Sequence, residues 1–296
     1  MLYLLLCAFA NVGILLCFSL FKRHNLNTFH AIVFNYVTCV ITGVLFLSDF
    51  EALTLVHFNT PWVLIALCLG AIFIMTFYLM ALTTQRFSIT VSSIAAKMSL
   101  VIPVLVSLLI LKVESKEYTM LNYLGIIVAF PAIILSSIKG RKQKTDSFLK
   151  STILLPITVF IFGGVIDSAI NYTNFKYLNS DTEPIFPIVI FSAAALLGIL
   201  IILARKSKVT LKSITGGVVL GIINYFSIYF LLKALTQFNN DGAILYPLLN
   251  VAIITFSAAI SFFIFDEKLS KLNKAGILLA MMAIFLISYQ ELSTYF

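Results

Sequence analysis

Long apolar segments alternate with short polar connectors along the whole chain. A helix needs about 20 apolar residues to cross a bilayer, and each segment has about this length. The pattern therefore predicts an all-α integral membrane protein with ten transmembrane helices. The predicted segments are 1–21, 30–48, 61–83, 88–111, 120–138, 151–174, 184–204, 213–235, 242–264 and 273–290.

The composition favours lipid as the solvent of this chain. Hydrophobic residues make up 61% of the sequence and charged residues 11%, whereas a soluble domain is about 45–50% apolar and about 25% charged. The net charge of +8 does not indicate nucleic-acid binding, because the basic residues form short clusters between apolar segments rather than one patch. We expect membrane lipid, and no nucleic acid, among the partners.

No pattern of metal ligands or cofactor contacts is found in the sequence. The cysteines lie inside apolar segments without metal-ligand spacing, and the histidines lie in connectors or at segment ends. A phosphate-binding loop of the GxxxxGK type is also absent, so ATP is not the expected energy source. We therefore predict no metal and no cofactor. The residues concerned are Cys7, Cys17, Cys39, Cys68, His24, His30 and His57.

Basic residues are distributed unequally between the two sides of the predicted bundle. Connectors after segments 1, 3, 5, 7 and 9 contain fifteen of the 20 Lys and Arg residues, and the opposite side of the bundle has four. Positive connectors remain in the cytoplasm, so both termini are expected outside it, in a plasma membrane of the bacterial inner-membrane type. Lys22 and Arg23 follow the first segment, which predicts a retained helix rather than a signal peptide.

The two halves of the chain resemble each other. Residues 81–114 and 234–267 both start with Ala-Leu-Thr and both end with Glu, without a gap. Five helices per half is an odd number, so the halves must have opposite orientations in the membrane. We predict a first repeat at 1–138, a basic cytoplasmic linker at 139–150 and a second repeat at 151–296. Inverted repeats are typical of secondary transporters, which bind substrate near the midplane.

Several positions agree with a known family. Pro103 lies in the fourth segment and Glu114 shortly after it, before Gly125, and Glu267 lies before Gly276 in the second half. With the helix number and the repeat, this pattern resembles the drug/metabolite transporter superfamily, in particular its EamA-like family. The resemblance implies a central cavity surrounded by helices 1–4 and 6–9, with helices 5 and 10 at the periphery. It also implies movement of small metabolites, often amino acids and frequently outward.

Lys97 is a cation within an apolar segment. It lies about nine residues into the fourth segment, or about 14 Å deep at 1.5 Å per residue, in a hydrocarbon core about 30 Å thick. A charge at that depth costs about 2.5–3.5 kcal/mol. Lys97 shares a helix face with Thr90 and Ser93. We expect Lys97 to receive a carboxylate or another anionic group; the alternative is a structural lysine bonded to backbone carbonyls or an acid.

Asp167 is the acidic counterpart in the sixth segment, on one face with Asn171 and Asn174. We interpret it as a proton carrier or a contact for a substrate amine. The alternatives are a salt bridge to Lys97 and a position at the membrane interface. If the two charges pair in one state, substrate or a proton exchanges with that pair.

The ninth segment has a second polar face. Tyr246, Asn250, Ser257 and Ser261 fall close together on a helical wheel, and Asn250 is the repeat equivalent of Lys97 at an offset of 153 residues. This spacing suggests a second wall of the cavity. The alternative is hydrogen bonding between helices, worth about 0.6 kcal/mol on average in membranes.

Weaker candidates lie in the first, second and eighth segments. Asn11 lies midway along the first, Asn35 shares a face with Thr38 and Thr42, and Asn224 shares one with Gly217 and Gly221, whose small size favours close helix packing. Asp167 is the proton-coupling candidate. The complete predicted substrate-binding set is Lys97, Ser93, Asn250, Tyr246, Asn35, Asn11, Asn171 and Asn224.

These patterns predict a secondary transporter, in the export direction, for small polar metabolites such as amino acids, with alternating access around a midplane cavity and protons as an optional coupling partner. A drug, sugar or nucleoside permease of the same fold is the alternative. A membrane-embedded enzyme is less favoured, because no histidine lies well inside a segment and the acids are scattered. A structural subunit gains little from an inverted repeat.

Overall fold

The structure, a computed structural model, describes residues 2–47, 50–102, 119–137, 149–179, 181–237, 242–265, 269–290 and 293. Within these ranges there are ten α-helices, one short 3-10 helix at Glu51–Leu55 and no strand. The α-helices are α1 (Leu2–Arg23), α2 (Thr28–Leu45), α3 (Pro61–Arg86), α4 (Ile89–Met98), α5 (Met120–Ser137), α6 (Leu149–Tyr177), α7 (Phe186–Ala204), α8 (Leu211–Gln237), α9 (Gly242–Phe265) and α10 (Lys271–Ile287).

Six of the helices are long and apolar enough to cross a membrane: α1, α2, α3, α7, α8 and α9. Their length and composition agree with the predicted membrane protein. Shorter apolar stretches occur in α4, α5 and α6, at Ile89–Met98, Met120–Ser136 and Leu154–Ile170. The predicted fourth segment continues beyond the described part, since Pro103 and Glu114 lie outside the described residues, as does Glu267.

Helix starts follow from the local sequence. The Asn27 side chain accepts a hydrogen bond from the His30 amide at 3.2 Å, which caps α2. Ser88 caps α4 in the same way, accepting from the Val91 amide at 3.1 Å. These side chains satisfy amides that have no partner within the helix. The cap at Ser88 begins α4 two residues after α3 ends, so the two helices turn back at one end of the bundle.

Helices of the first half of the chain pack mainly on helices of the second half. The most extensive contacts are α5 with α10, α2 with α8, α1 with α8, and α3 with α7. Helix α3 also packs on α6. Each helix of the first half has a counterpart five helices later. If every helix is exchanged for its counterpart, the α2–α8 contact becomes the α7–α3 contact and the α1–α8 contact becomes the α6–α3 contact. The α5–α10 contact remains the same. Two equivalent five-helix halves would produce this relation.

Helices α5 and α10 make reciprocal side-chain contacts. Asn122 Nδ2 donates to the Ile287 carbonyl at 2.7 Å, and Asn273 Nδ2 donates to the Ser136 carbonyl at 2.7 Å. Asn273 lies 151 residues after Asn122, and Ile287 lies 151 residues after Ser136. Each asparagine thus satisfies a carbonyl near the C-terminal end of the other helix, where helical carbonyls have no intrahelical partner.

The same two helices meet through glycine. A Cβ atom on Gly125 would lie 2.8 Å from a backbone nitrogen of α10, and one on Gly276 would lie 2.5 Å from a backbone nitrogen of α5. Thr119 and Ser270 begin the two helices, and their hydroxyls donate to the asparagine three residues later. The repeated motif is [Ser/Thr]-x-x-Asn-x-x-Gly, which permits direct contact of the two helix backbones.

A second reciprocal contact joins α2 and α7. A Cβ on Gly43 would lie 3.1 Å from Ile188, and a Cβ on Gly198 would lie 2.4 Å from Val33. Both pairs of equivalent positions differ by 155 residues. Since neither glycine has a side chain, a branched residue of the partner helix fills the space in both places.

The buried apolar residues form separate clusters around the middle of the bundle. One cluster includes residues of α1, α2, α3 and α7, among them Phe18 and Tyr36. Another joins α4, α5, α9 and α10 around Met98 and Ile254. A third joins α1 to α8 and α9. Helices α1, α4 and α9 therefore connect these clusters, and they position the polar site described next.

Candidate binding site

Lys97 binds a side chain of the first helix. The lysine is half-buried in α4, and its Nζ donates to Asn11 Oδ1 at 3.1 Å. The Asn11 amide nitrogen donates in turn to the Cys7 carbonyl at 2.9 Å, one turn earlier in α1. This second bond fixes which end of the carboxamide faces Lys97, because an amide donates at nitrogen and accepts at oxygen.

Asp167 lies in α6 and contacts α4. Its Oδ2 accepts a hydrogen bond from Ser99 Oγ at 3.0 Å. The Ser99 oxygen also lies 2.6 Å from the Ala96 carbonyl, so its one proton is shared between two acceptors. Close approach of α6 to α4 depends on Gly164, where an added Cβ would lie 2.4 Å from Ile102. The glycine thus brings the Asp167 carboxylate within reach of α4.

Lys97 and Asp167 are not bonded to each other. An ion pair requires the two charged atoms within about 4 Å, and none joins these residues in the described part, where Lys97 binds Asn11 and Asp167 binds Ser99. They still interact electrostatically. The hypothesis that they form a direct pair does not apply to this structure, because each charge has a nearer neutral partner.

Open space remains next to these charges. Asp167 is exposed although it lies well inside α6 and contacts α4. Tyr246 of α9 is 37% exposed and lies near Asp167. Side chains of four helices therefore lie close together here, with Asp167 and Tyr246 exposed and Ser99 buried. We call this group the central site; it comprises Asn11, Lys97, Ser99, Asp167 and Tyr246.

Two further predicted residues lie on the same helices and differ in availability. Asn250 lies one turn after Tyr246 in α9 and is 8% exposed, and no hydrogen bond to its side chain is found among the described residues. Its amide is therefore buried and without a partner within the described part. Ser93 of α4 is fully buried and donates to the Thr90 carbonyl at 2.8 Å, so its hydroxyl is already engaged.

Asn35 and Asn224 form a second polar cluster between α2 and α8. Asn224 Nδ2 donates to Asn35 Oδ1 at 3.2 Å and contacts Cys39 Sγ at 3.4 Å. Asn35 is fully buried, and its Nδ2 has no hydrogen-bond partner within the described part. Gly221 permits this close packing, since an added Cβ would lie 2.7 Å from the Asn35 carbonyl. The structure thus brings these two predicted residues to each other and not to Lys97.

The remaining predicted residue is Asn171. It lies in α6, one turn after Asp167, and its side chain lies outside the described part. Ser99 and Cys7 were missed from sequence, although both contact the predicted residues. A signal for Ser99 existed: it follows the buried lysine by two residues. However, Ser99 does not lie on the helix face that Lys97 shares with Thr90 and Ser93, because two residues rotate a helix by about 200°.

The chemistry of the central site is that of binding. One ammonium, one carboxylate, an amide and two hydroxyl groups border it, and these groups recognise small polar molecules by charge and hydrogen bonds. Among the described residues, no group of three or more His, Cys, Asp or Glu side chains could hold a metal ion. The fold and this site define a helical protein, with several helices able to cross a membrane, that has a polar site between them.

Comparison with known proteins adds a relative without an assigned role. No family model matches the chain. The chain is similar to an uncharacterized protein of Haemophilus influenzae, with 27% identity over 299 residues that cover 98% of each protein. The similarity therefore extends over all the helices that form the central site.

Proposed function

We propose that this protein is a secondary transporter of the drug/metabolite type. It moves small polar metabolites such as amino acids, by alternating access around the central site and in the export direction. The observation that carries this proposal is that Lys97 and Asp167 lie near each other, on helices of the two halves, without an ion pair between them.

Unpaired charges in this position favour a ligand. A purely structural pair would be bonded directly, since an isolated charge in a membrane interior is costly. Here Lys97 uses one of its three donors on Asn11, and the Asp167 carboxylate accepts from Ser99. An ammonium has three donors and a carboxylate has about four acceptor positions, so both have capacity left. A solute with a carboxylate and an ammonium complements both groups.

Asp167 is also the candidate for proton coupling. A carboxylate that is accessible and bonded to a neutral hydroxyl can exchange a proton with solvent. Proton and substrate amine would compete for the same oxygen atoms, so the binding of one displaces the other. This competition is the simplest way to couple outward movement of a solute to inward movement of a proton.

The placement of the site in the fold supports the proposal. Asn11 and Lys97 belong to helices of the first half, and Asp167 and Tyr246 belong to helices of the second half. Sites between two inverted halves are typical of secondary transporters. The reciprocal contacts of α5 with α10, and of α2 with α7, support the two-repeat organisation.

The proposal includes a location and an orientation. Six helices able to cross a membrane and the excess of exposed large apolar side chains favour a lipid environment. We place the end of the bundle with Lys22, Arg86 and Arg205 in the cytoplasm, because positive connectors remain there. Both termini are then outside the cytoplasm of a bacterial inner membrane.

Reconstitution with charge substitutions tests this function. Purified protein in proteoliposomes should show saturable uptake of labelled zwitterionic amino acids from a panel. Lys97→Ala should lower the uptake rate about tenfold or more, because a hydrogen bond to a charged group is worth about 1.5–3 kcal/mol. Asp167→Asn should make the remaining uptake independent of an imposed pH gradient. Ser92→Ala is the control, since this buried hydroxyl of α4 bonds α3 instead.

Normal uptake by the Lys97→Ala protein would reject the central site as the substrate site. If the protein takes up sugars or nucleosides, and neither Lys97→Ala nor Asp167→Asn changes that uptake, a sugar or nucleoside permease of the same fold is favoured instead. An unaltered pH response in Asp167→Asn would remove the proton role.

A further inference from the structure

Three fully buried residues outside the central site have a hydroxyl group without a hydrogen-bond partner in the described part. They are Thr90 of α4 and Ser257 and Ser261 of α9, and each of them is at most 1% exposed. Hydroxyls elsewhere in the described helices usually donate to a carbonyl one turn earlier, as Thr38 and Thr83 do. Because buried polar groups are nearly always bonded, these three positions require an explanation.

Their positions continue the polar faces that start at the midplane. Thr90 lies seven residues before Lys97, and Ser257 lies seven residues after Asn250, with Ser261 one turn further. A spacing of seven or eleven residues returns a helix to about the same face. Both faces extend toward the end of the bundle where α3 ends and α4 begins, which we call the basic end.

Accessibility differs on the two sides of the midplane. At the central site, Asp167 and Tyr246 are exposed. Toward the basic end, the hydroxyls of Thr90, Ser257 and Ser261 are sealed. The region is therefore partly exposed at the central site and closed toward the basic end.

Contacts at the basic end explain the closure. Gln85 Nε2 donates to the Phe18 carbonyl at 3.0 Å and to Thr28 Oγ1 at 2.9 Å, so one side chain of α3 binds both α1 and α2. Lys22 Nζ donates to the Gln85 carbonyl at 2.5 Å. The Asn27 amide donates to Ser213 Oγ at 3.2 Å, which ties the first connector to α8. The Gln85 and Lys22 bonds thus hold α1, α2 and α3 together at this end, and the Asn27 bond joins the two halves there.

We infer that Thr90, Ser257 and Ser261 line the second half of the solute path, and that the Gln85 contacts keep this half shut in the present structure. When the basic end opens, water or the polar groups of a passing solute satisfy the three hydroxyls. This inference rests on the proposed function and extends it, because it assigns the lining of the path on the side that the central site does not reach.

Hydrogen bonds contribute both to opening and to closing of the basic end. Leaving a buried hydroxyl without a partner is unfavourable, and opening removes that penalty at three positions. The Gln85 bonds favour the closed state, because they form only when α1, α2 and α3 are in contact at this end. Weakening Gln85 should therefore shift the population toward the state with accessible hydroxyls.

Thiol labelling tests the inference. The background is Cys68→Ser, because Cys68 is the exposed native cysteine while Cys7, Cys17 and Cys39 are buried. Ser257→Cys is compared with the control Ser92→Cys, a fully buried serine on the α3-facing side of α4. A charged thiol reagent is added to permeabilised membrane vesicles, so that it reaches both faces of the protein. Labelling rates are measured with and without Gln85→Leu. We expect at least about tenfold faster labelling at position 257 with Gln85→Leu, and no change at position 92.

Equal rates at position 257 with and without Gln85→Leu would overturn the inference, as would an equal increase at position 92, which reports general loosening. Thr28→Val deletes a single Gln85 bond and should produce a smaller increase at position 257 if Gln85→Leu fails to fold. Transport is measured separately. Faster labelling without transport of any solute supports the path and rejects the proposed function, whereas transport without any labelling at position 257 rejects the path alone.

Discussion

Asparagine has different roles at different depths of this molecule. Its amide donates and accepts at the same time, so it can join two groups that do not match each other directly. Asn11 accepts from Lys97 while it donates to the Cys7 carbonyl. Between α8 and α2 the two functions are divided, because Asn224 donates and Asn35 accepts. Side-chain amides thus supply polar contacts between helices without adding charge to an apolar interior.

The contact between Asn35 and Asn224 should be energetically coupled. Asn224→Leu removes the partner of the buried Asn35 carbonyl oxygen, so we expect a loss of about 1–3 kcal/mol in the free energy of unfolding. The double variant Asn35→Leu/Asn224→Leu should lose less than the sum of the single variants, with a coupling of about 0.6–1.7 kcal/mol. Denaturant titration of detergent-solubilised protein measures both quantities.

Thr255→Val is the control for that experiment, because its exposed hydroxyl bonds within its own helix and should affect stability little. Strictly additive losses in the two asparagine variants would show that the contact contributes nothing specific.

Helices α5 and α10 are joined by their backbones. Gly125 and Gly276 leave no room for a Cβ atom, and the nearest atoms include the backbone of the opposite helix. A backbone atom cannot rotate away as a side chain can, so both positions are restricted to glycine. The asparagine contacts at both ends then fix the register of the pair.

Alanine substitutions separate this contact from ordinary packing. Gly276→Ala should destabilise the protein by about 1–3 kcal/mol or more, because its Cβ would lie 2.5 Å from a backbone nitrogen of Ser136. Gly13→Ala is the matched control, since its nearest neighbour is the Ile223 side chain at 3.2 Å, which can adjust. The midpoint of thermal unfolding in detergent should fall for the first variant and change little for the second. Equal midpoints would contradict the backbone contact.

Helix positions were largely predictable from the sequence, whereas helix partners were not. The predicted segments at 61–83 and 184–204 correspond to α3 (Pro61–Arg86) and α7 (Phe186–Ala204). Helix α6 begins at Leu149, inside the predicted linker. Apolar length predicts a span because it depends on local composition. The [Ser/Thr]-x-x-Asn-x-x-Gly motif has no meaning until the partner helix is known, and it was missed.

The same limit applies to the central site. Lys97, Asp167 and Tyr246 were predictable, because a polar residue in an apolar segment is conspicuous. Ser99 and Gln85 were not predicted, since their importance depends on which neighbouring helix approaches them. The separation of Asn35 and Asn224 from Lys97 was equally hidden, because a helical wheel indicates a face but not the helix opposite it.

At the scale of the whole molecule, the basic end combines positive charge with several polar contacts between helices. The basic end contains the Gln85 contacts and also the bond between His30 Nε2 and Ser207 Oγ at 2.9 Å. The sides of the bundle expose many large apolar residues, among them Leu45, Leu203 and Phe263. A surface of this kind is suited to lipid, and the basic end is suited to an anionic cytoplasmic leaflet.

The orientation is testable with truncated fusions. A reporter enzyme that is active only outside the cytoplasm should be inactive when fused after Lys144, in the basic linker, and active when fused after Glu183, between α6 and α7. The reason is the excess of Lys and Arg in the connectors after segments 1, 3, 5, 7 and 9, since positive connectors remain in the cytoplasm. Fusion after Lys208, between α7 and α8, is a second inactive control. The opposite pattern of activities would invert the orientation and leave the fold unchanged.

The interlocked packing of early with late helices has a consequence for how the protein is made. Helix α2 packs mainly on α8, and α3 packs extensively on α7, so the first helices to leave the ribosome lack their final neighbours until most of the chain is synthesised. Domains generally fold in order during synthesis, but here the first half has no complete core of its own. During synthesis there is therefore a period in which α2 and α3 exist without their final neighbours. The central site forms only after α9 has been synthesised, because Tyr246 belongs to that helix.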